Sequence, residues 1–547
     1  IRDLAGNPVV ADAAFRACLS QQDGYCSELG PVVAQMGPLF APRNIVAASL
    51  FTTLSATAWL EKARNALEKS SIDLQRTGSK SVFKISELAS MTGQFQTTVD
   101  PTKLTAKVFP LYLLSGVGRV AFGSFLSPTF LNEIPVVPAA GQRQFLIPAT
   151  PTGKAVELPP AVERIQFHVY LPDSPAPPGG YPVVIAPGNV NNEAHWHAIS
   201  YAGSFARHGL ATIAINMVGA GNGPEGKLVM QEKIGNTVEL PLGGRGIDAN
   251  GDKTIADAEG CSMGGDKPYP VFERDCFRQS ALDLQQLVRA IKAGIDVDGD
   301  GVVDLDRSRI YFHGMSLGGM YGPVFAAVAP DVAAAVFDSG GPRVDLLRWN
   351  RSVLALRARR PSLLNKGATF DDDYVLRYRP VEIIDVPGAL AIQEYFERGE
   401  WVQMPGDPFA YAPHLWSSTL AGVPMKRVLF QYAKGDTLVP NPTETALVRA
   451  ANLRESTSFY RHDLALKLFQ KLNPAGHYYS IPDISLFALK TDPLAQYLIA
   501  MLAQEQAAGF LASHGTVIPD VNFWSQLWFG VDLFETPPKF LTEDLNR

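Results

Sequence analysis

The sequence lacks two features that would place it in a membrane or on a nucleic acid. It has no run of about 18 apolar residues, the length that a membrane-spanning helix requires. Its longest apolar candidate, residues 497–503, is far too short. It also has no excess of basic residues, because 48 Lys and Arg stand against 54 Asp and Glu and give a net charge of −6. We therefore expect neither a transmembrane segment nor a nucleic-acid partner.

Cysteine is scarce, with four residues in 547, and no C-x-x-C motif supports a zinc site. The four lie in two close pairs, Cys18 with Cys26 and Cys261 with Cys276. An even number with local pairing predicts two disulfides and an oxidising compartment, with four free buried thiols as the alternative. The chain begins at Ile1 and not at Met, so we expect that a leader has been removed and that the protein is secreted or lies at the cell surface.

What the sequence does have is an apolar content of 46%, enough for a sizeable core. Residues 1–110 show no alternation of strands and helices, and we predict a small N-terminal accessory region there. In residues 111–547, short apolar segments alternate with helical ones, which predicts an α/β fold with a mostly parallel sheet and helices on both faces. The predicted strands of this larger domain are 117–125, 165–171, 182–186, 211–216, 309–313, 333–338 and 427–432.

Two long stretches interrupt this alternation. Residues 219–278 form a Gly-rich excursion, and about 90 residues separate the last two predicted strands, far more than the usual loop of roughly 2–6. We interpret residues 342–424 as a cap insertion. Its aromatic side chains would line an apolar groove or form the cap's own core. They are Trp349, Tyr374, Tyr378, Tyr395, Phe396, Trp401, Phe409, Tyr411 and Trp416.

The segment GMSLG at residues 314–318 matches the motif G-x-S-x-G. An apolar strand before it and a helical segment after it predict a sharp turn that lifts the hydroxyl of Ser316 above the sheet. Gly314 and Gly318 must be small so that strand and helix can approach each other. The N–H of Leu317, at the start of the helix, would then bind an oxyanion. We predict Ser316 as a nucleophile, with an ordinary Gly-rich turn as the alternative.

The chain order in an α/β-hydrolase is Ser, then Asp or Glu, then His. Asp436 follows the predicted strand 427–432, as the acid should. Of the later histidines, His477 lies in a loop before the final helix, whereas His462 lies in a helical stretch and His514 lies beyond that helix. A serine hydroxyl is a weak nucleophile until an imidazole takes its proton, and a carboxylate orients that imidazole. We predict Asp436 as the acid and His477 as the base, with the other two histidines as alternatives.

A second oxyanion donor should come from the loop after an earlier strand, here the third predicted one. We predict the backbone N–H of Asn189 in this role, with Gly188 and Val190 as alternatives. Together with the N–H of Leu317, it would complete an oxyanion hole.

An acidic loop precedes the strand that leads to Ser316. Residues 296–304 (DVDGDGVVD) place side-chain oxygens at positions 1, 3, 5 and 9 of a calcium-binding loop, a carbonyl at position 7 and a glycine at the sharp turn. Position 12 is Arg307, which departs from an EF-hand and for which Asp306 could substitute. A Ca²⁺ ion there would brace the strand and would not take part in the chemistry. The predicted ligands are Asp296, Asp298, Asp300, Val302 and Asp304.

Two further patterns could hold a metal ion. A second acidic segment begins at Asp248 and has Glu259 at position 12, but it lacks the glycine at position 6. His195 and His197 form an H-x-H pair, for which solvated or loop-packing histidines are the favoured alternative. Solvated Asp/Gly turns are the alternative for both acidic segments. The predicted ligands of the second segment are Asp248, Asn250, Asp252, Thr254 and Glu259.

With these motifs in hand, the chain resembles the bacterial virulence-factor lipase family, which comprises surface or secreted lipases of Gram-negative bacteria. The family's usual His-Gly after the oxyanion strand is Pro187–Gly188 here. The resemblance implies an α/β-hydrolase fold and a lipase that acts through an acyl-enzyme. It is carried by Arg43–Thr53 with its Phe-Thr-Thr ending, His313–Gly319 (HGMSLGG), Gly435–Pro440 (GDTLVP) and Gly509–Gly515 (GFLASHG).

Together these features predict a secreted serine carboxylic ester hydrolase that cleaves hydrophobic esters of lipids or polyesters and needs no organic cofactor. A serine amidase or peptidase on the same fold is an alternative, although no β-propeller repeat precedes the catalytic region. An adhesion module on an inactive hydrolase fold is a third reading. Such modules usually lose the serine or the histidine, and this chain retains both.

Overall fold

A computed structural model describes most of the chain, and it divides into two compact units, residues 1–55 and 56–547. The units are described separately below. The residues described are 7–21, 24–40, 45–50, 55–133, 143–144, 156–188, 194–248, 251–256, 259, 261, 270–342, 389–436, 438–469, 471–473, 476–483 and 491–541.

The first unit contains two described helices, α1 (Ala13–Cys18) and α2 (Gly24–Phe40). Asp12 caps α1, because its carboxylate accepts two backbone N–H groups of the first turn. A disulfide joins Cys18 to Cys26, as the close spacing of this pair predicted.

The second unit contains the remaining described strands and helices. The strands are β1 (Gln75–Arg76), β2 (Val82–Lys84), β3 (Leu88–Gln96), β4 (Leu104–Val108), β5 (Val117–Pro128), β6 (Asn132–Glu133), β7 (Arg143–Gln144), β8 (Val162–Pro172), β9 (Tyr181–Ile185), β10 (Ala211–Ile215), β11 (Lys227–Glu232), β12 (Thr237–Pro241), β13 (Leu305–Met315), β14 (Val332–Asp338), β15 (Arg427–Ala433), β16 (Thr457–Tyr460) and β17 (Phe534–Glu535). The helices are α3 (Ala58–Leu67), α4 (Ala194–Arg207), α5 (Pro270–Ala293), α6 (Leu317–Val328), α7 (Ala389–Gln403), α8 (Pro408–Tyr411), α9 (Pro413–Trp416), α10 (Asn441–Ala451), α11 (His462–Leu468), α12 (Pro493–Ala512) and α13 (Asn522–Phe529). None of the described helices is long and apolar enough to cross a membrane.

Eleven of the described strands form one large sheet, in the order β1-β5-β8-β10-β9-β13-β14-β15-β16-β17, with β2 also paired to β5. The strands β5, β8 and β10 are antiparallel neighbours, whereas the strands from β10 to β16 run parallel. Counted along the chain from β5, the spatial order of the eight central strands is 1-2-4-3-5-6-7-8, and the G-x-S-x-G turn follows the fifth. This is an α/β-hydrolase fold, which confirms the predicted fold class.

Helices cover both faces of the sheet. The strands β9 and β10 are buried along their whole length, as expected for parallel strands between two layers of helices. On β9, Val183 and Ile185 belong to the large core with α5 and α6, whereas Val184 between them packs in a second cluster with α4 and α12. This two-residue period follows from the alternating direction of side chains on a strand.

A separate antiparallel sheet has the order β12-β11-β3-β4. Its strands come from two distant stretches, since β3 and β4 precede residue 110 and β11 and β12 lie in the Gly-rich excursion. In addition, β1 and β2 pair with β5 of the large sheet. Residues 56–110 therefore belong to the larger unit, and the division falls at residue 55 and not at the expected boundary near 110.

The second predicted disulfide joins Cys261 to Cys276 on α5. Cys276 is fully buried, so the bond attaches the end of the Gly-rich excursion to the core. With the first disulfide, it accounts for all four cysteines of the chain.

Candidate active site

Ser316 lies at the turn between β13 and α6. Its φ is +55°, which is costly for a residue other than glycine and is a type of strain that occurs at functional sites. A Cβ added to Gly314 would lie 2.3 Å from the carbonyl oxygen of Gly318. Strand and helix can therefore approach this closely only because residue 314 has no side chain.

His477 and Asp436 form a hydrogen-bonded chain with Ser316. The distance from His477 Nε2 to Ser316 Oγ is 2.8 Å, and the distance from His477 Nδ1 to Asp436 Oδ2 is 2.5 Å. In the tautomer with the proton on Nδ1, the imidazole donates to the carboxylate and can accept the serine proton at Nε2. The structure thus brings the predicted nucleophile, base and acid together in the order that proton transfer from serine requires.

The carboxylate of Asp436 is held by the turn that follows β15. It is fully buried, and its Oδ1 accepts the backbone N–H groups of Leu438 and Val439, each at 2.8 Å. The side-chain amide of Asn441 holds the same turn, because its oxygen accepts the N–H of Gly435 and its nitrogen donates to the carbonyl of Ala433. One carboxylate oxygen is therefore fixed by the backbone while the other faces the imidazole of His477.

The two alternative bases have other partners. His462 Nε2 lies 2.8 Å from the carbonyl oxygen of Asn473, and His514 Nδ1 lies 2.6 Å from the hydroxyl of Tyr311. Of the three late histidines, the one that contacts Ser316 is His477.

Of the two predicted donors of the oxyanion hole, Leu317 lies within the described residues and Asn189 does not. Leu317 begins α6, and the first N–H groups of a helix have no acceptor within the helix. Gly188 is fixed at both ends, because its N–H donates to the carbonyl of Ile215 at 3.1 Å and its carbonyl accepts the hydroxyl of Tyr321 at 2.8 Å. Since Tyr321 also lies on α6, the helix that presents the first donor anchors the loop in which the second is predicted. The other two candidates for that second donor lie outside the described residues: Asn189 and Val190.

Two buried carboxyl groups near this site were not identified from the sequence. Burial raises the pKa of Asp338, the last residue of β14, to about 6, although hydrogen bonds from Ser480 and Ser339 oppose the rise. Burial also raises the pKa of Glu444 on α10 well above its usual range, and the negative charge of Asp436 adds to this effect. Asp338 could have been found, because it ends a predicted strand at the edge of the sheet where catalytic groups collect. Glu444 lies within a helix that carries no such signal.

His195 and His197 each form a buried pair with another histidine. His195 stacks on His168 with ring centroids 3.8 Å apart, and His197 Nε2 lies 3.4 Å from His313 Nδ1. Burial lowers the pKa of His195 to about 3 and that of His197 to about 4, and it holds the other two well below their usual range. Among the described residues, the one group of three potential metal ligands contains none of these histidines. The favoured alternative, solvated or loop-packing histidines, is wrong, because both residues are buried on the helix α4.

The group of three potential metal ligands lies in the first acidic loop, where three carboxylates each offer an oxygen within 4.8 Å of the others. Such oxygens suit a hard cation like Ca²⁺. The guanidinium of Arg119 already neutralises part of their charge, through ion pairs of 2.8 Å and 3.4 Å with two of the three. Asp300 is not in the group and accepts the N–H of Val302 at 2.7 Å. The three carboxylates are those of Asp296, Asp298 and Asp304.

In the second acidic segment, the described carboxylates accept backbone N–H groups of their own turns. Asp248 accepts from Gly251 and Lys253, at 2.7 Å and 3.0 Å. Asp252 accepts the N–H of Thr254, and the buried Glu259 accepts that of Ala256 at 2.9 Å. The remaining predicted ligand, Asn250, lies outside the described residues. These contacts are typical of Asp-rich turns.

The described part of the 342–424 insertion divides its aromatic residues into two kinds. Tyr411 is fully buried, and its hydroxyl donates to the carbonyl of Pro405 at 2.8 Å, so it belongs to the core. Trp401, Phe409 and Trp416 are 64%, 38% and 42% exposed. For Tyr395 and Phe396 only the helical backbone is described, and three residues lie outside the described part: Trp349, Tyr374 and Tyr378.

Comparisons with known proteins give similarity to solved structures alone. No protein-family model and no curated protein sequence matches the chain. The chain is similar to acetyl xylan esterase 1 from Thermoanaerobacterium sp. JW/SL YS485, with 13% identity, a TM-score of 0.34 and coverage of 72% of this chain and 82% of that chain. It is also similar to the acetyl xylan esterase from Paenibacillus sp. R4, with 12% identity, a TM-score of 0.35 and coverage of 77% of this chain and 95% of that chain. Its similarity to the Pyrobaculum calidifontis esterase has 13% identity, a TM-score of 0.31 and coverage of 65% of this chain and 83% of that chain. The strand order of the sheet, and not these likenesses, establishes the fold.

Proposed function

We propose that this protein is a serine carboxylic ester hydrolase that acts through an acyl-enzyme on Ser316. The observation that carries the proposal is the hydrogen-bonded chain from Ser316 through His477 to Asp436, on an α/β-hydrolase fold. A strained serine at a strand-to-helix turn, an oriented imidazole and a buried carboxylate are the groups that acyl transfer needs.

The reaction follows from these contacts. His477 Nε2 accepts the proton of Ser316 as Oγ attacks the ester carbonyl, and Asp436 stabilises the imidazolium that forms. The N–H of Leu317 binds the negative oxygen of the tetrahedral intermediate. The imidazolium then protonates the leaving alcohol, and a water molecule activated by the same imidazole releases the acid from the serine.

We propose a hydrophobic acyl group as the substrate part that the enzyme recognises. Exposed aromatic residues in the described part of the insertion, among them Trp401, and the resemblance to virulence-factor lipases support this choice. The two disulfides support a secreted protein, because such bonds persist in oxidising compartments.

A series of p-nitrophenyl esters tests this proposal, since the leaving group stays constant while the acyl chain grows. Each buried methylene contributes about 0.8 kcal/mol, so burial of two should raise kcat/KM about 15-fold. We expect kcat/KM to rise from acetyl to medium-chain esters, and p-nitroanilides to react far more slowly. A steady decline from acetyl upward would indicate a small-ester hydrolase, and equal rates on anilides would indicate an amidase.

We also propose that Ca²⁺ binds the first acidic loop and braces β13, which begins directly after it. A ligand that binds only the native state adds about 2.7 kcal/mol at a hundredfold excess over its Kd. Calcium added to chelator-treated protein should therefore raise Tm and leave kcat unchanged.

Two substitutions in the same loop provide the control for calcium binding. Asp298→Asn should abolish the rise in Tm, whereas Asp300→Asn, outside the carboxylate group, should retain it. The proposed calcium site is wrong if a chelator leaves Tm unchanged and elemental analysis finds no metal.

A further inference from the structure

Asp338 contacts the nucleophile through its backbone. It is the last residue of β14, the strand beside β13, and it is fully buried. Its carbonyl oxygen accepts the N–H of Ser316 at 2.8 Å. A Cβ added to Gly319 would lie 2.6 Å from this oxygen, so the start of α6 packs directly against it. Asp338 thus fixes the peptide that carries the strained serine.

The carboxylate of the same residue contacts the loop that carries the base. Its Oδ2 accepts the hydroxyl of Ser480, three residues after His477, and the hydroxyl of Tyr479 is a further donor. Ser480 also contacts the hydroxyl of Tyr201 on α4 at 2.8 Å. The base loop is therefore tied to the end of β14 through groups that the proton-transfer chain does not use.

The chemistry of this buried group suits a tether. A carboxylate offers two acceptor oxygens and can satisfy several hydroxyl donors at once, whereas an amide would direct an N–H₂ group at some of them. Burial raises the pKa of Asp338, and the hydroxyls of Ser480, Ser339 and Tyr479 together with the charge of His477 oppose that rise. These donors therefore favour the ionised form.

We propose that Asp338 is a positioning residue that sets the distance between Ser316 Oγ and His477 Nε2. Its carbonyl holds the nucleophile and its carboxylate holds the base loop, so one residue spans the two halves of the catalytic chain. The inference rests on the proposed function and adds a residue that does not touch the reacting atoms. A displacement of about 1 Å at such a site can reduce the rate about 100-fold.

The test is the kinetics of Asp338→Asn and Ser480→Ala on a p-nitrophenyl ester, with kcat expressed per site titrated by a fluorophosphonate. Unfolded molecules are not titrated, so a loss of stability alone does not change this value. We expect kcat to fall about 100-fold for Asp338→Asn and about tenfold for Ser480→Ala, with KM within about twofold of wild type. The double variant should be no slower than Asp338→Asn, because both changes break the same tether.

Ser339→Ala is the matched control, because Ser339 donates to the other oxygen of the same carboxylate at 2.9 Å but does not belong to the base loop. Its kcat should stay within about twofold of wild type. Equal kcat values for the two serine variants would overturn the proposal, as would a wild-type kcat per titrated site for Asp338→Asn. If Asp338→Asn does not fold, the serine pair decides. Turnover retained by Ser316→Ala would instead overturn the proposed function itself.

Discussion

Ser316→Ala should abolish measurable ester turnover while the protein stays folded. The hydroxyl is the group that attacks the carbonyl, and loss of the nucleophile from a comparable chain of serine, histidine and aspartate costs about 10⁶-fold in kcat. The backbone N–H of residue 316 still donates to the carbonyl of Asp338 after the substitution, so Tm should change little. Steady-state kinetics on a short-chain p-nitrophenyl ester, together with circular dichroism, measure both quantities.

The histidines provide matched controls for this prediction. His477→Ala should reduce kcat about as much as Ser316→Ala does, and the double variant should have no lower kcat than either single variant, because the residues act as a unit. Asp436→Asn should reduce kcat about 10⁴-fold, since it favours the wrong tautomer. His514→Ala should keep its activity, because His514 contacts Tyr311 and not the serine. Full activity of His477→Ala, or loss of activity in His514→Ala, would show that the base is assigned to the wrong residue.

Acidification should destabilise the fold, because four of the nine histidines form two buried pairs, His168 with His195 and His197 with His313. In the unfolded chain a histidine has a pKa of about 6.5. Above that pH these histidines are neutral in both states and have no effect on stability. As pH falls below about 6.5, the unfolded chain binds protons that the buried histidines of the folded state cannot bind, and each histidine lowers the free energy of unfolding by up to about 1.4 kcal/mol per pH unit.

The buried acids act in the opposite direction. Asp338 and Glu444 have raised pKa values, so they bind protons in the folded state while their unfolded counterparts are still ionised. Asp338 therefore stabilises the fold as pH falls from about 6 to about 4, and Glu444 acts in the same direction. Asp275 and Asp283 are further buried acids with raised pKa values, and His462 is a further buried histidine with a lowered one, so the two effects partly cancel. The effect of the histidines begins near pH 6.5, so we expect the free energy of unfolding to fall as the solution becomes mildly acidic.

Urea denaturation at two pH values, one neutral and one near 5, measures this effect. In His195→Phe, which places an apolar ring against Phe109 and Phe122, the dependence on pH should weaken by about 1.4 kcal/mol per pH unit. His414→Ala, at a partly exposed position, should leave it unchanged. Identical free energies of unfolding at both pH values in the wild type would contradict the prediction.

Local sequence patterns predicted the large sheet because its strands are short apolar runs between turn residues. The segment ATIAIN at 211–216 became β10, and RVLFQY at 427–432 became β15 with one residue more. The second sheet was not predicted. Its pairing of β3 with β11 joins Gln94 to Lys227, and such a long-range antiparallel contact leaves no periodic signal in either segment.

The candidate site was predictable to the extent that turn chemistry and chain order determine it. Ser316, Asp436 and His477 follow from a motif and from their positions after strands, and the structure places them within hydrogen-bond distance. Tyr321 and Ser480 could not be found in this way. Their contacts depend on how α6 and the base loop pack against other elements, which no local pattern records.

Within the described residues, the large sheet ends on both sides in very short strands. At one side β1 and β2 have two and three residues, and at the other β17 has two. A long edge strand presents unpaired N–H and C=O groups that invite pairing with another chain, and short edge strands limit this risk. In the described part of the protein, the long apolar strands β9, β10 and β13 are all interior. The short segments at both margins therefore protect a sheet of this size against strand-to-strand aggregation, a property that catalysis does not require.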